Sequence, residues 1–284
     1  MQKAMFLFVL VACGTDVQPD DEPSDGGGTD GYAPLITSSW QLPPSTEKYL
    51  CVRKTLTADT WIKSLRPIAP HGTHHAVLML GAPDAADGTV ECNSGLPKPG
   101  IYASGVGTNV LELPAGVAVH AKAGDQLLLN LHLFNAGTDP LSGTSGVEFT
   151  TTDPASVVHE AGVVLVGKAT GLYVDTGMTT QTGTCTTPAG TTLFAVAPHM
   201  HLLGTHMKAT YGSQVLYDED YTFDGQHFQM IDPMISTVAN GTYTVTCSYY
   251  NPGAPVTFGE STTDEMCYAL TYVYPPPKVN SCTN

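Results

Sequence analysis

The sequence is short of charge, and shortest of positive charge. Lysine and arginine number 11 against 26 aspartates and glutamates in 284 residues, and charged residues reach only 13%, about half of the roughly one quarter usual in globular chains. A formal net charge of −15 excludes a nucleic-acid binder that works through basic patches, because phosphate recognition needs clustered Lys and Arg. No CxxC pair occurs, so a zinc knuckle or a thioredoxin-like redox site has no support. Past the N-terminus there is no apolar run long enough to span a bilayer as a helix. No repeat of fixed period stands out. Long helical segments are missing too: 29 Gly, 21 Pro and abundant Thr favour many short strands and turns over a helical bundle.

What is present fits an all-β protein with a sizeable core, either two domains or one large unit. From Ser39 onward, apolar and β-branched runs of about five to eight residues alternate with Gly, Pro, Asn and Asp punctuation, the spacing of a β-sandwich or barrel. Leu127–Phe134, Gly162–Val166, Leu193–Ala197 and Tyr243–Tyr249 are the clearest. The polar segment Thr150–Ser156, with Pro154, precedes a new apolar run and reads as an interdomain joint. We therefore expect one domain over 39–156 and a second over 157–284.

The N-terminus carries Lys3, an apolar run from Ala4 to Ala12, and then Cys13. This is the pattern of a short export signal, and Leu10-Val11-Ala12-Cys13 resembles a bacterial lipobox, in which cleavage leaves a lipidated cysteine. Residues 14–38 read as a flexible acidic Gly/Pro-rich tether. The expectation is an exported protein, lipid-anchored to a bacterial cell envelope at the outer membrane or periplasmic face, or extracellular. The total of seven cysteines is odd; assigning Cys13 to lipid leaves Cys51, Cys92, Cys185, Cys247, Cys267 and Cys282. Six cysteines in an exported chain suggest disulfides, with fifteen possible pairings. The simplest arrangement compatible with two domains keeps Cys51 with Cys92 and shares two bridges among the rest.

Ten histidines stand against eleven basic residues. His199 and His201 lie two apart after the apolar FAVAP run, so on a strand both would face the same side and offer two imidazoles to one metal. His74 and His75 are adjacent, so they share a metal only at a strand end or a bulge. His132 sits inside the strand-like LLLNLHLFN. Neutral imidazole suits Cu, Zn, Fe and Ni alike, and a soft thioether such as that of Met266, in STTDEMC, would select Cu(I); taken alone, Met266 reads as one of nine gap-filling methionines.

The segments THHAVLML, LLLNLHLFN, APHMHLLGTHM and STTDEMCY, in this order and spacing, resemble the copper type II ascorbate-dependent monooxygenases, the group of peptidylglycine α-hydroxylating monooxygenase and dopamine β-monooxygenase. The resemblance covers nearly all of residues 45–284. It implies two tandem jelly-roll-like antiparallel β-sandwich domains with two copper ions facing each other across a solvent-filled cleft. An electron-transfer copper would be held by His74, His75 and His132, and an oxygen-activating copper by His199, His201 and Met266. It also implies the bridges Cys51–Cys92, Cys185–Cys282 and Cys247–Cys267, the last supporting the adjacent Met266. Ascorbate or another one-electron donor would be the reductant and O2 the oxidant. The substrate would be a small molecule or peptide-like compound with an activated C–H bond, and the protein a monomer.

The resemblance has a gap. Peptide-amidating members bind a substrate carboxylate with an Arg two residues before the HxH and with an Asn and a Tyr after the Met-Cys pair; here those positions hold Ala197, Tyr268 and Leu270. Peptide amidation is therefore not expected. Tyr217, Tyr221, Gln226 and Tyr268 are candidate substrate contacts, while Asp264 and Glu265 read as structural hydrogen-bond acceptors. The competing reading is a non-catalytic copper-binding lipoprotein for storage, delivery or sensing. Retention of two complete ligand sets favours the enzyme.

Overall fold

The computed structural model describes residues 30–93, 98–278 and 281–283. Cys13 and the segment expected to be an export signal lie outside the described residues. Strands dominate, and the one helix among the described residues is a 3-10 turn, Pro154–Ser156. None of the described helices is long and apolar enough to cross a membrane.

The first half stacks two sheets. One runs in the order Ala33–Leu42, Leu141–Thr151, Thr60–Ile68, Val117–Ala121, His159–Glu160, with Leu111–Glu112 also paired to Thr60–Ile68. The other runs Gly88–Glu91, Thr46–Thr55, Gln126–Asn135, Thr73–Gly81, Gly100–Gly105. Ile62, Leu65 and Val147 of one sheet meet Leu78, Leu127 and Leu129 of the other in a buried core. The second half repeats the plan. A five-stranded sheet, Gln229–Ser236, Thr192–His199, Cys267–Tyr274, Gly162–Lys168, Ser281–Thr283, lies on a four-stranded one, Gly177–Thr187, Gly241–Asn251, Gly204–Tyr211, Gln214–Asp220. The expected all-β class with sandwich-like antiparallel sheets is what the chain forms. The first strand, however, begins at Ala33, inside the segment expected to be tether, because Leu35 and Ile36 are buried in the first core.

Disulfides join Cys51 to Cys92, Cys185 to Cys282 and Cys247 to Cys267. The last two each tie one sheet of the second half to the other. Their formation fits an oxidising compartment.

The five-stranded sheet of the second half is covered on both faces. Along its strands Val163, Leu165, Ala197, Leu270 and Tyr272 join the core of the first half, while Val166, Val196, Ala269 and Val273 point into their own sandwich. Period-two alternation with both faces apolar produces unbroken hydrophobic runs such as LFAVA. Tyr102 of the first half lies 5.7 Å, ring to ring, from Phe228 of the second, and Phe228 lies 5.5 Å from Tyr272. Asn109 clamps the contact with two hydrogen bonds: its Nδ2 donates to the Phe228 carbonyl at 3.1 Å and its Oδ1 accepts from the Phe228 N–H at 2.7 Å. Gly107, at φ 75°, lets the chains approach this closely, since a Cβ there would stand 2.0 Å from the Asp224 carbonyl oxygen. Beside this apolar, hydrogen-bonded contact the two halves leave a cavity between them, at the place where a cleft was expected.

Candidate metal centres and the cavity between the halves

Strand Thr73–Gly81 pairs with Gln126–Asn135, and its register slips between Thr73 and His75. His74 is the extra residue of this bulge, which is how two adjacent histidines turn to one side. His75 faces His132 across the ladder. The Nδ1 atoms of His74 and His75 are 3.0 Å apart, and those of His132 and His75 are 3.4 Å apart. Two nitrogens each bound to one ion at about 2.0–2.1 Å stand roughly 3.3 Å apart at a tetrahedral angle, so the three imidazoles fit a metal. The outer nitrogens of His132 and His74 are occupied. His132 Nε2 lies 2.6 Å from Glu47 Oε1, and because a carboxylate only accepts, Nε2 carries the proton and Nδ1 presents its lone pair. His74 Nε2 lies 3.3 Å from Thr262 Oγ1, a residue of the second half. Tyr49 stacks on His132 at 4.2 Å.

The second set is built at a strand end. Thr192–His199 finishes at His199; Met200 turns into the core of the second half, and His199 and His201 lie with ring centroids 5.4 Å apart. His201 Nδ1 is 3.1 Å from the Asp264 carbonyl oxygen, so it donates there. Its Nε2 is buried with no hydrogen-bond partner. An orphaned lone pair costs about 1–3 kcal/mol unless something coordinates it, which fits a bound ion. His199 Nδ1 is 2.8 Å from Gln226 Oε1, and Gln226 Nε2 donates to the Phe223 carbonyl at 3.0 Å. That second bond fixes the amide so that His199 Nδ1 is the protonated nitrogen and Nε2 is free. Thus the first set offers Nδ1 atoms and the second offers Nε2 atoms.

Met266 is buried and precedes strand Cys267–Tyr274; its carbonyl accepts from the Tyr249 hydroxyl at 2.7 Å. Glu265, fully buried, accepts the backbone N–H groups of His201 at 3.0 Å, Leu203 at 2.7 Å and Met266 at 3.3 Å. It thereby welds the HxH turn to the methionine segment. Burial raises its carboxyl to about 7 despite those three donors. Burial likewise depresses the imidazoles: His74 and His201 fall to about 3, with neighbouring histidines adding to the effect. His75 and His199 are lowered by burial as well, and His132 is lowered by burial against the opposing pull of Glu47. All five are neutral near pH 7, the form a metal requires.

The two sets adjoin, with His75 and His199 ring centroids 6.2 Å apart. Between the halves lies a cavity of about 320 Å³, within the size range of small-molecule sites. His75, His199 and Met266 form part of its wall, and Tyr102, Leu165 and Leu270 supply apolar surface. Gln226 and Tyr268, expected as substrate contacts, line it. Tyr217 and Tyr221 do not. Both are packed in the core of the second half, where the Tyr221 hydroxyl donates to the Met200 carbonyl at 2.5 Å. Their place beside Gln226 in sequence gave no sign of this, because strand packing decides which face turns inward.

Sequence reasoning also passed over Glu47, Thr262 and Glu260. The first two act on histidines 85 and 188 residues away, beyond the reach of any local pattern. Glu260 lines the cavity, and its carboxyl is raised by burial and by the nearby charge of Asp264. Its side chain has no hydrogen bond or ion pair among the described residues, whereas the other charged group at the wall, Lys98, sits 3.4 Å from Asp84 and 3.1 Å from Gln126 Oε1.

Comparison with known proteins gives concordant matches. Residues 159–284 match the family described as copper type II ascorbate-dependent monooxygenase, C-terminal domain. The chain is 26% identical to tyramine beta-hydroxylase of Caenorhabditis briggsae over 313 aligned residues, covering 93% of this chain and 53% of that protein. It is 30% identical to DBH-like monooxygenase protein 1 of Mus musculus over 184 residues, covering 56% of this chain and 30% of that protein. The chain spans about half the length of the first relative and less of the second.

Proposed function

The chain belongs to the copper type II ascorbate-dependent monooxygenase family, and from that premise we propose that it hydroxylates an activated C–H bond of a small molecule, using O2 and ascorbate or another one-electron donor. His74, His75 and His132 would hold one copper through Nδ1; His199 and His201 through Nε2, with the Met266 thioether, would hold a second. Copper at these positions supplies one-electron redox chemistry and activation of O2. The chain supplies the rest. Glu47 and Gln226 fix which nitrogen His132 and His199 present, Glu265 holds the HxH turn against Met266, and the cavity offers a largely apolar wall to the substrate.

The observation that carries this reading is the unpartnered, buried Nε2 of His201 beside a cavity whose wall includes ligands of both sets. A copper carrier needs one site and no cavity, so the arrangement favours turnover over storage. Ala197 and Leu270, at the positions of the carboxylate clamp in peptide-amidating members, line the same cavity, and Glu260 is its unpaired charge. This supports a substrate bearing a cationic or donor group rather than an acid; one relative is named for hydroxylating tyramine. We further propose an exported monomer, tethered to the envelope through lipid on Cys13.

The test is copper content together with O2 uptake driven by ascorbate, with amines, alcohols and acids as candidate substrates. Two coppers per chain and uptake stimulated by substrate are expected, and Met266→Ile should lower the rate at least roughly a hundredfold, the scale of losing a group needed in the transition state. Copper binding without stimulated uptake across the panel would favour the carrier.

A further inference from the structure

The segment from Glu260 to Met266 touches both candidate copper sites. At one end, the Glu260 carbonyl accepts the Tyr49 hydroxyl at 3.3 Å, and Tyr49 stacks on His132. Two residues on, Thr262, buried, places Oγ1 3.3 Å from Nε2 of His74. At the other end Glu265 and the Asp264 carbonyl grip His201, and Met266 follows. Phe223, also of the second half, covers His74 with ring centroids 4.8 Å apart. The first site's own sheet provides the outer partner of His132, namely Glu47, but the outer partner of His74 comes from the other half of the chain.

We infer that Thr262 is a positioning residue for the first copper site, and that through it the segment 260–266 couples the two sites, so that filling the His201 site tightens binding at the His74 site. The inference rests on the copper reading given above. The physical steps are short. Accepting the His74 Nε2–H leaves Nδ1 with its lone pair turned toward His75, the tautomer a metal needs. Thr262 occupies that place because Asp264 and Glu265, two and three residues further on, are bonded to His201. A ligand that orders His201 and Met266 therefore orders Thr262, and the coupling is reciprocal by linkage. Removing the Thr262 hydroxyl strips the buried His74 N–H of its acceptor without touching a ligand of either site.

The experiment measures Cu(I) affinity at each site of the full chain by competition with a chelator, in the wild type, Thr262→Val, His201→Ala and the double variant. Thr262→Val should weaken the His74 site roughly tenfold or more, as loss of a partner behind a metal ligand generally does, and leave the His201 site within about twofold. His201→Ala should weaken the His74 site in the wild-type background and have no further effect once Thr262 is Val. Thr262→Ser, which keeps the hydroxyl, should restore both the affinity and the coupling. Equal weakening of both sites by Thr262→Val, or additive effects in the double variant, would overturn the inference. A second readout needs no metal: the His74 Nε2–H resonance of the metal-free chain should be protected from solvent exchange in the wild type and Thr262→Ser, and unprotected in Thr262→Val. Unchanged protection in Thr262→Val would also overturn it. A chain that binds no copper would sink the proposed function, while this resonance would still report whether Thr262 holds His74.

Discussion

The two halves solve the same problem with different materials. In the first, His75 and His132 stand opposite each other in the middle of a ladder, and His74 is swung beside them by one bulge. Regular backbone hydrogen bonds hold those positions. In the second, the HxH pair sits where a strand ends and Met266 where another begins. Here the ladder has run out, and the geometry depends on a buried carboxylate, a tyrosine hydroxyl and a disulfide: Glu265, Tyr249 and Cys247–Cys267. A site inside a sheet inherits its rigidity from the fold, whereas one at strand ends must be tied down residue by residue.

The sharpest way to probe that contrast is acid. In the metal-free protein the five imidazoles titrate below their unfolded value of about 6.5, His74 and His201 near 3. Between those values the unfolded chain binds protons that the folded chain refuses, so stability falls as pH drops from about 6.5 toward 3. Glu265, raised to about 7 from an ordinary 4.5, acts in the opposite sense between those values, but one group opposes five. Thermal melts of the metal-free chain should lose several kcal/mol, as an order of magnitude, across this window. Because three of the five histidines belong to the first half, hydrogen-exchange protection should fail there first; simultaneous failure in both halves would break the comparison.

Next in size is Glu265→Ala, which leaves two buried N–H groups and one half-buried one without an acceptor. At about 1–3 kcal/mol each, the loss should exceed about 3 kcal/mol in denaturant melts, and copper stoichiometry should fall from two to one. Retention of both coppers would show that the second site does not depend on this tie. Replacing Cys247 and Cys267 by Ala opens a bridge with a sequence separation of 20, worth about 3 kcal/mol by loop entropy; copper should weaken most at the Met266 site, and less at the His74 site that segment 260–266 couples to it. The smallest effect separates the two partners behind the histidines. Glu47→Ala should lower copper affinity of the first site, and Gln226→Ala that of the second, each by roughly 10- to 100-fold, measured by chelator competition. Through segment 260–266 each variant should also weaken the other site, by a smaller factor; equal weakening of both sites would break the comparison.

Much of this molecule was readable in advance. The apolar runs with turn punctuation gave the strands, and the resemblance carried by the HH, H, HxH and Met segments in order gave the candidate ligand sets. The bulge at His74 was foreseeable as a condition, since adjacent histidines can share one side only where the alternation breaks. The pairing of the cysteines was readable through family resemblance alone. Tyr217 and Tyr221 went the other way: beside Gln226 in sequence they looked like cavity residues, but their strand and turn bury them against Met200 and its neighbours.

The sequence by itself determined the all-β class, the same-face HxH pair and the shortage of positive charge, because these depend on residue type and on spacings of one to a few positions; the grouping of ligands into two sets came through the family resemblance. Only the tertiary structure decided what lies behind each ligand and how near the two sets come. Glu47, Thr262 and Gln226 reach their histidines across 85, 188 and 27 residues. The apolar outer face of the second half's five-stranded sheet draws the halves together over the cavity. Contacts of that kind are set by which faces pack, and packing is a property of the assembled sheets, with no counterpart in the order of residues along the chain.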